Sequence, residues 1–273
     1  MGSPSVWNSL PFDVIDWEDS HIDPLPFYPI IPDESVEKIA ARIANTLSVI
    51  LGMGDVQSPF VKSAILSGLQ SQSITCLHDL ISELYMPLKK TKSSVKLEGL
   101  IEIAPKNTAP FDWKLNTAGV TVVRLNKGNN PDTLMKLMEM ILSTLYFMKK
   151  YGEKTSNIPL VFVLDECMLL NWNKDWTAHQ IMLRGRKDGM CAWLSSQFIP
   201  SNKESQIWEE ADMRIYFQHT ADDSKKIAKQ LAKNNKNLQE YYYDQLEHLE
   251  KGQFIFKQNR NIMISQIPDG REA

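Results

Sequence analysis

Pro159-Leu160-Val161-Phe162-Val163-Leu164-Asp165-Glu166 is an apolar run that ends abruptly in two adjacent carboxylates. Its aliphatic and β-branched residues show no polar alternation, which predicts a strand buried on both faces, as in the parallel sheet of an α/β domain. Ligands of such sheets bind outside the carboxyl ends of the strands, where Asp165 and Glu166 stand. A core strand followed by a solvated acidic turn gives the same string, so this stretch alone leaves both readings open.

Where the ligand is a nucleotide, the first acid holds the Mg²⁺ shell and the second polarises the attacking water; an apolar strand ending in Asp-Glu is a Walker-B pattern. About twenty residues on, Leu183-Arg184-Gly185-Arg186-Lys187-Asp188-Gly189 forms a basic helix end and a glycine turn. A second apolar strand then finishes in Ser195-Ser196-Gln197. A glutamine at that tip can hydrogen-bond a phosphate oxygen or the lytic water without adding charge. Arg184 and Arg186 offer planar forks to a phosphate, in the same subunit or across a subunit boundary. Their other reading is helix C-terminal charge complementing the dipole.

The order Leu-Asp-Glu, then Gly-Arg-Lys-x-Gly, then Ser-Gln resembles the FtsK/HerA superfamily of RecA-like motor ATPases, especially HerA-type DNA translocases and the conjugation ATPases of type IV secretion. The resemblance implies a catalytic glutamate at Glu166, a sensor at Gln197 and a metal-shell residue at Asp165. It also implies ATP and Mg²⁺ as cofactors, a ring of subunits such as a hexamer, and double-stranded DNA as the partner, with a nuclease or other subunits beside it.

Upstream, Phe12-Asp13-Val14-Ile15-Asp16 is a strand that runs into acids and then into the proline-studded His21–Pro29, which cannot be helix. In the superfamily the strand after the P-loop helix ends in an Asp and leads to an Asn-Pro-Leu-like segment; here it is Asp23-Pro24-Leu25. Asp16, Glu18 or Asp19 approaches the nucleotide on that reading, or only solvates a turn. Apolar residues at helical spacing predict three helices, over Glu34–Gly52, Ser58–Gln70 and Thr75–Tyr85. They look like the superfamily's helical insertion. Lys89–Lys96 is the most basic stretch, either a pore loop or a solvated run.

From Gly119 a strand, Val120–Leu125, leads to a helix over Thr133–Lys150 with Asp132 as its expected cap. A helix is expected at Trp172–Met182, a strand at Met213–Gln218, and a basic amphipathic helix at Asp222–Ala232. A helix, glycine turn and strand follow through Leu246–Phe256, with a last strand at Asn261–Ile267. The expected organisation is 1–30 as second core strand and Pro-rich segment, 31–118 as mainly helical insertion, and 119–273 as the RecA-like core. The fold class is thus α/β, a RecA-like, mostly parallel sheet flanked by helices.

A formal net charge of -3 argues against a dedicated nucleic-acid-binding module, so DNA contact requires a local patch or a ring that gathers one face of several subunits. Cys76, Cys167 and Cys191 have no ligand-like spacing and read as reduced thiols of a cytoplasmic protein. Met1–Ser5 lacks a basic and an apolar region, so no secretory signal is expected.

No Gly-Lys dipeptide occurs anywhere, so the glycine-rich cradle and lysine of a P-loop are absent from the chain. Two expectations follow. Either the chain is the later part of a motor whose P-loop strand and helix precede it, with poor nucleotide binding by itself, or it is a degenerate relative serving as a non-catalytic scaffold subunit.

Overall fold

The computed structural model describes residues 12–55, 57–88, 99–101, 104, 108, 111, 113, 119–125, 130–152, 159–197, 211–233, 235–259 and 261–267. Met1–Ser5 and Lys89–Lys96 lie outside them. The chain divides into two compact units, Met1–Ser195 and Ser196–Ala273.

In the first unit β1 (Phe12–Asp16) pairs in parallel with β2 (Val120–Arg124). Parallel neighbours need a long crossover, and here it contains α1 (Trp17–Ser20), α2 (Val36–Leu51), α3 (Gln57–Ser71) and α4 (Leu77–Leu88). The second helix closes at Gly52, in the left-handed region at φ 58. The Gly52 N–H bonds Val49 O, and Met53 N–H bonds Ser48 O, the double closure of a Schellman turn.

Ile39, Ile43 and Leu47 from α2, Val61 and Ile65 from α3, and Leu80, Ile81 and Leu84 from α4 share one buried cluster with Ile15, Leu137 and Trp176. The proline-studded segment is strapped into that core. Asp23 is 2% exposed and accepts the N–H groups of Leu25 at 2.8 Å and Leu77 at 2.7 Å, one on each oxygen. Thr144 Oγ1 donates to Pro24 O at 2.8 Å from the next long helix.

That helix, α5 (Pro131–Tyr151), is capped by Asn130 rather than by Asp132: the Asn130 side chain accepts the Asp132 N–H at 3.0 Å. Pro131 lacks an N–H and has a preset φ, so it takes the first helical position and moves the cap one residue before itself.

β3 (Leu160–Leu164) and β4 (Met190–Leu194) form a second parallel pair, joined through a 3₁₀ turn at Cys167–Leu169, α6 (Thr177–Arg184) and a 3₁₀ turn at Gly185–Asp188. The helix expected from Trp172 begins only at Thr177. Before it, the buried Trp172 donates its indole N–H to Cys167 O at 3.1 Å, and Asn171 accepts the Asn173 N–H, holding the chain in a loop.

The pair is packed on one face only, which corrects the reading of Pro159–Leu164 as buried on both. Phe162, Met190 and Ile181 are buried, whereas Val163 is 70% and Trp193 65% exposed. Val163 and Trp193 are register partners, so they share the open face.

In the second unit β5 (Met213–Tyr216), β6 (Gln253–Gln258) and β7 (Asn261–Gln266) form an antiparallel sheet in that order. Helices α7 (Ala221–Ala232) and α8 (Lys236–Glu247) pack on it around Tyr216, Ile227, Leu231, Leu246, Leu249 and Ile255. The first of these helices starts one residue before the expected Asp222. The second begins ten residues before Leu246, because Asn235 caps it by accepting the Leu238 N–H. The molecule is thus α/β, with short parallel sheets flanked by helices. No helix among the described residues is long and apolar enough to cross a membrane.

Candidate functional site

The carboxyl end of β3 carries the acid pair, beside the carboxyl end of β4. Past the last paired residues the ladder continues through two bonds: Ser195 N–H to Leu164 O at 3.0 Å, and Cys167 N–H to Ser195 O at 3.0 Å. Ser195 is therefore fixed by its backbone on both sides of the acids. Its hydroxyl donates to Asp165 Oδ1, which also accepts the Glu166 N–H at 3.1 Å.

Glu166 is left-handed at φ 55 and leads into the 3₁₀ turn, whose Leu169 N–H bonds Glu166 O at 2.9 Å. A bulky side chain in that region is uncommon and costs roughly 1–3 kcal/mol. Asp165 is exposed and Glu166 half-buried.

Beneath them Cys167 is fully buried. Burial first, then the nearby Asp165 and Glu166 charges, push its thiol up to about 11, so it is an unreactive packing group. Further below, Glu139 of α5 is 2% exposed and accepts both the N–H and the hydroxyl of Thr177, at 2.8 and 2.6 Å. This bond pair anchors the start of α6. Burial raises the Glu139 carboxyl to about 7, with the Thr177 bonds pulling the other way.

Arg184 ends α6, and Arg186 lies in the turn before β4; both are exposed. Since Leu160 N–H bonds Gly189 O, they stand at the amino ends of the strands. Five residues of strand rise separate that end from the acids, about 16 Å. Within one chain the arginines therefore do not meet the carboxylates.

Asp16 lies on the other parallel pair, where it faces Arg124, its register partner, at 3.6 Å. No strand pairing among the described residues joins that pair to β3 and β4. Gln197 follows β4 by three residues and is exposed, at the start of the second unit. The structure thus brings together Asp165, Glu166 and Ser195. The serine stood in the quoted Ser195-Ser196-Gln197 string, but its role follows only from the register that sets it beside Asp165.

Among the described residues no group of three or more His, Cys, Asp or Glu side chains converges as a metal cage. Two carboxylates and a hydroxyl fit a hard cation such as Mg²⁺, which keeps several waters and takes one or two carboxylates beside substrate phosphates.

No protein-family model matches the chain, and no curated protein does. Among solved structures, VirB4 of Thermoanaerobacter pseudethanolicus matches over 97% of this chain and 83% of its own, at 13% identity and a TM-score of 0.62. The fold is RecA-like. The genome packaging NTPase of Sulfolobus turreted icosahedral virus 2 also matches. In complex with AMPPCP it covers 56% of this chain and 70% of its own at 18% identity and a TM-score of 0.38. In complex with ATP-gammaS the values are 59%, 74%, 17% and 0.39. A RecA-like frame is consistent with strands β3 and β4 presenting their carboxyl ends to a ligand.

Proposed function

We propose that this chain is part of an ATP-driven double-stranded DNA translocase or helicase motor of the HerA/FtsK kind, working in a DNA-processing or defence system. The observation that carries the reading is the acid pair at the end of β3, with Asp165 held by the Ser195 hydroxyl from β4. On this reading Asp165 positions the waters of a Mg²⁺ shell, Glu166 accepts the proton of the lytic water, and Gln197 reports the state of the γ-phosphate. ATP with Mg²⁺ supplies the phosphoryl group to be transferred and the charge that binds it. Because Arg184 and Arg186 lie away from the acids in their own subunit, they serve a neighbour's nucleotide across a ring interface. Asp16 lines the nucleotide from the first strand pair.

The likeness of the fold to VirB4 keeps a secretion or conjugation ATPase beside the translocase, with the same residues in the same roles. The absence of any Gly-Lys dipeptide favours a different reading, a non-catalytic scaffold subunit. The test is ATP hydrolysis with and without double-stranded DNA, by this chain, by the protein extended with what the native gene encodes upstream of Met1, and by Glu166→Gln in that background. DNA-stimulated turnover that the substitution lowers at least about a hundredfold supports the motor. An extended protein that neither binds nor hydrolyses ATP overturns it in favour of the scaffold. Stimulation by a secretion partner and not by DNA selects the secretion ATPase.

A further inference from the structure

We propose that the second unit pairs with a second copy of this chain through the open face of its antiparallel sheet, the face turned away from α7 and α8. Alternation along the strands sends Tyr216 and Ile255, which are register partners, into the core beneath the helices, where both are buried. The opposite face carries three register rows. Met213, Gln258 and Asn261 form one, and Ile215, Phe256 and Met263 the next. The third joins Phe254 to Ser265, and the Phe217 ring lies beside Phe254 with 5.9 Å between centroids.

An antiparallel sheet with one face in water alternates apolar residues inside with polar ones outside. Here the outer rows are apolar as well. Met213 is 55%, Ile215 54%, Phe217 47% and Met263 55% exposed, with the half-buried Phe254 and Phe256 between them. Side chains of this size left about half open make a patch of roughly 450 Å², at the upper end of what a monomeric protein exposes, and such patches mark interaction surfaces.

The composition of the face selects its occupant. None of the three rows holds a charged side chain; their polar members are Gln258, Asn261 and Ser265. Such a face meets its own copy without like-charge repulsion, and it offers a charged partner nothing to pair with. Two copies together cover about 900 Å² of exposed apolar surface, and the polar members bring the pair to the roughly 1,000 Å² that a specific interface needs. Sheets pack face to face about 10 Å apart with their side chains interdigitating, and the flexible Met213 and Met263, on the two outer strands, are suited to fill that layer.

Pairing by the sheet edge is the poorer contact. β5 is an end strand of four residues, and Arg214 stands on its inward face between Met213 and Ile215. A short edge strand and an inward charge both discourage another strand from adding there. The contact is therefore isologous, face on face. It joins two copies and stops, unlike the head-to-tail contact that builds a ring.

The test is sedimentation velocity of the intact chain from about 1 μM to about 500 μM, where a small apolar interface gives a dimer with a dissociation constant of about 10–100 μM. Ile215→Lys and Met263→Lys each set a charge on the open face at an exposed position. The control Gln266→Lys sets the same charge on the other face of β7, also at an exposed position. The two face variants should associate at least about tenfold more weakly, and the control as wild type does. A second readout needs no variant: methionines are oxidised with dilute peroxide at the two ends of the concentration range and followed by mass spectrometry. Met213 and Met263 should slow at least about twofold at the high end, while the half-buried Met53 stays constant.

A monomer at every concentration overturns the proposal. Association that Ile215→Lys and Met263→Lys leave intact overturns it too, as does a loss in Gln266→Lys equal to theirs, or oxidation of Met213 and Met263 at one rate throughout. The outcome is independent of whether Glu166 hydrolyses ATP.

Discussion

The Ser195 hydroxyl donates to Asp165 across the β3–β4 boundary, and the backbone of Ser195 is itself bonded to Leu164 and Cys167 on either side of the acids. A side chain gripped at its base in this way holds a carboxylate in one rotamer. Ser195→Ala removes only the hydroxyl bond, since both backbone bonds remain. The expected outcome is a fall in ATP turnover of about tenfold in a background that turns over, as for residues that orient metal-shell ligands. The melting temperature stays within a degree or two, because the serine is exposed. An unchanged turnover removes Ser195 from the site.

Glu139 sets a pH dependence that can be read without nucleotide. Its carboxyl and that of Asp23 are both raised by burial to about 7 from ordinary values near 4. The folded state therefore holds protons that the unfolded chain has released, so stability from these groups is full below pH ~4 and is lost as pH rises toward 7. Glu139→Gln keeps an acceptor for Thr177 and removes one of the two groups. Urea unfolding across that window should show the pH slope of stability reduced by about half.

Asp23 answers differently to the same kind of change. Its two oxygens each accept a backbone N–H, from Leu25 and Leu77, and an amide can offer only one acceptor oxygen. Asp23→Asn sets an NH₂ against a buried N–H and should cost about 1–3 kcal/mol by chemical denaturation. The aspartate in Asp23-Pro24-Leu25, where the FtsK/HerA pattern resembles Asn-Pro-Leu, thus has a structural reason in this chain.

Arg42 and Glu34 form an ion pair at 2.9 Å, with side chains 2% and 0% exposed. Glu34 also accepts the Ile30 N–H, and Arg42 donates to Tyr28 O, so the pair ties the strap to α2. Arg42→Met leaves a buried carboxylate without its cation and should cost about 3–5 kcal/mol. Adding Glu34→Gln should recover part of that loss in a double-mutant cycle.

The pattern of apolar and polar residues settled much of this molecule. Pro159–Glu166 read as a strand ending in acids, and it is one, because a run of β-branched residues before two carboxylates has few other places to go. The helices of the crossover were legible from Ile39, Ile43 and Leu47 at helical spacing, and the end of α2 from Gly52, whose local chemistry acts within a few residues; the start of α5 was read two residues late, at Asp132 instead of the capping Asn130. Tertiary structure alone decided the rest. Whether one or both faces of β3 are covered depends on what packs there, and Val163 with Trp193 shows one face open. Thr177 meets Glu139 across 38 positions, Leu77 meets Asp23 across 54, and Ser195 meets Asp165 across 30. Such partners are chosen by register and packing, and no local periodicity records them. The residue types at the site were therefore written in the chain, while the bonds that aim them came from folding.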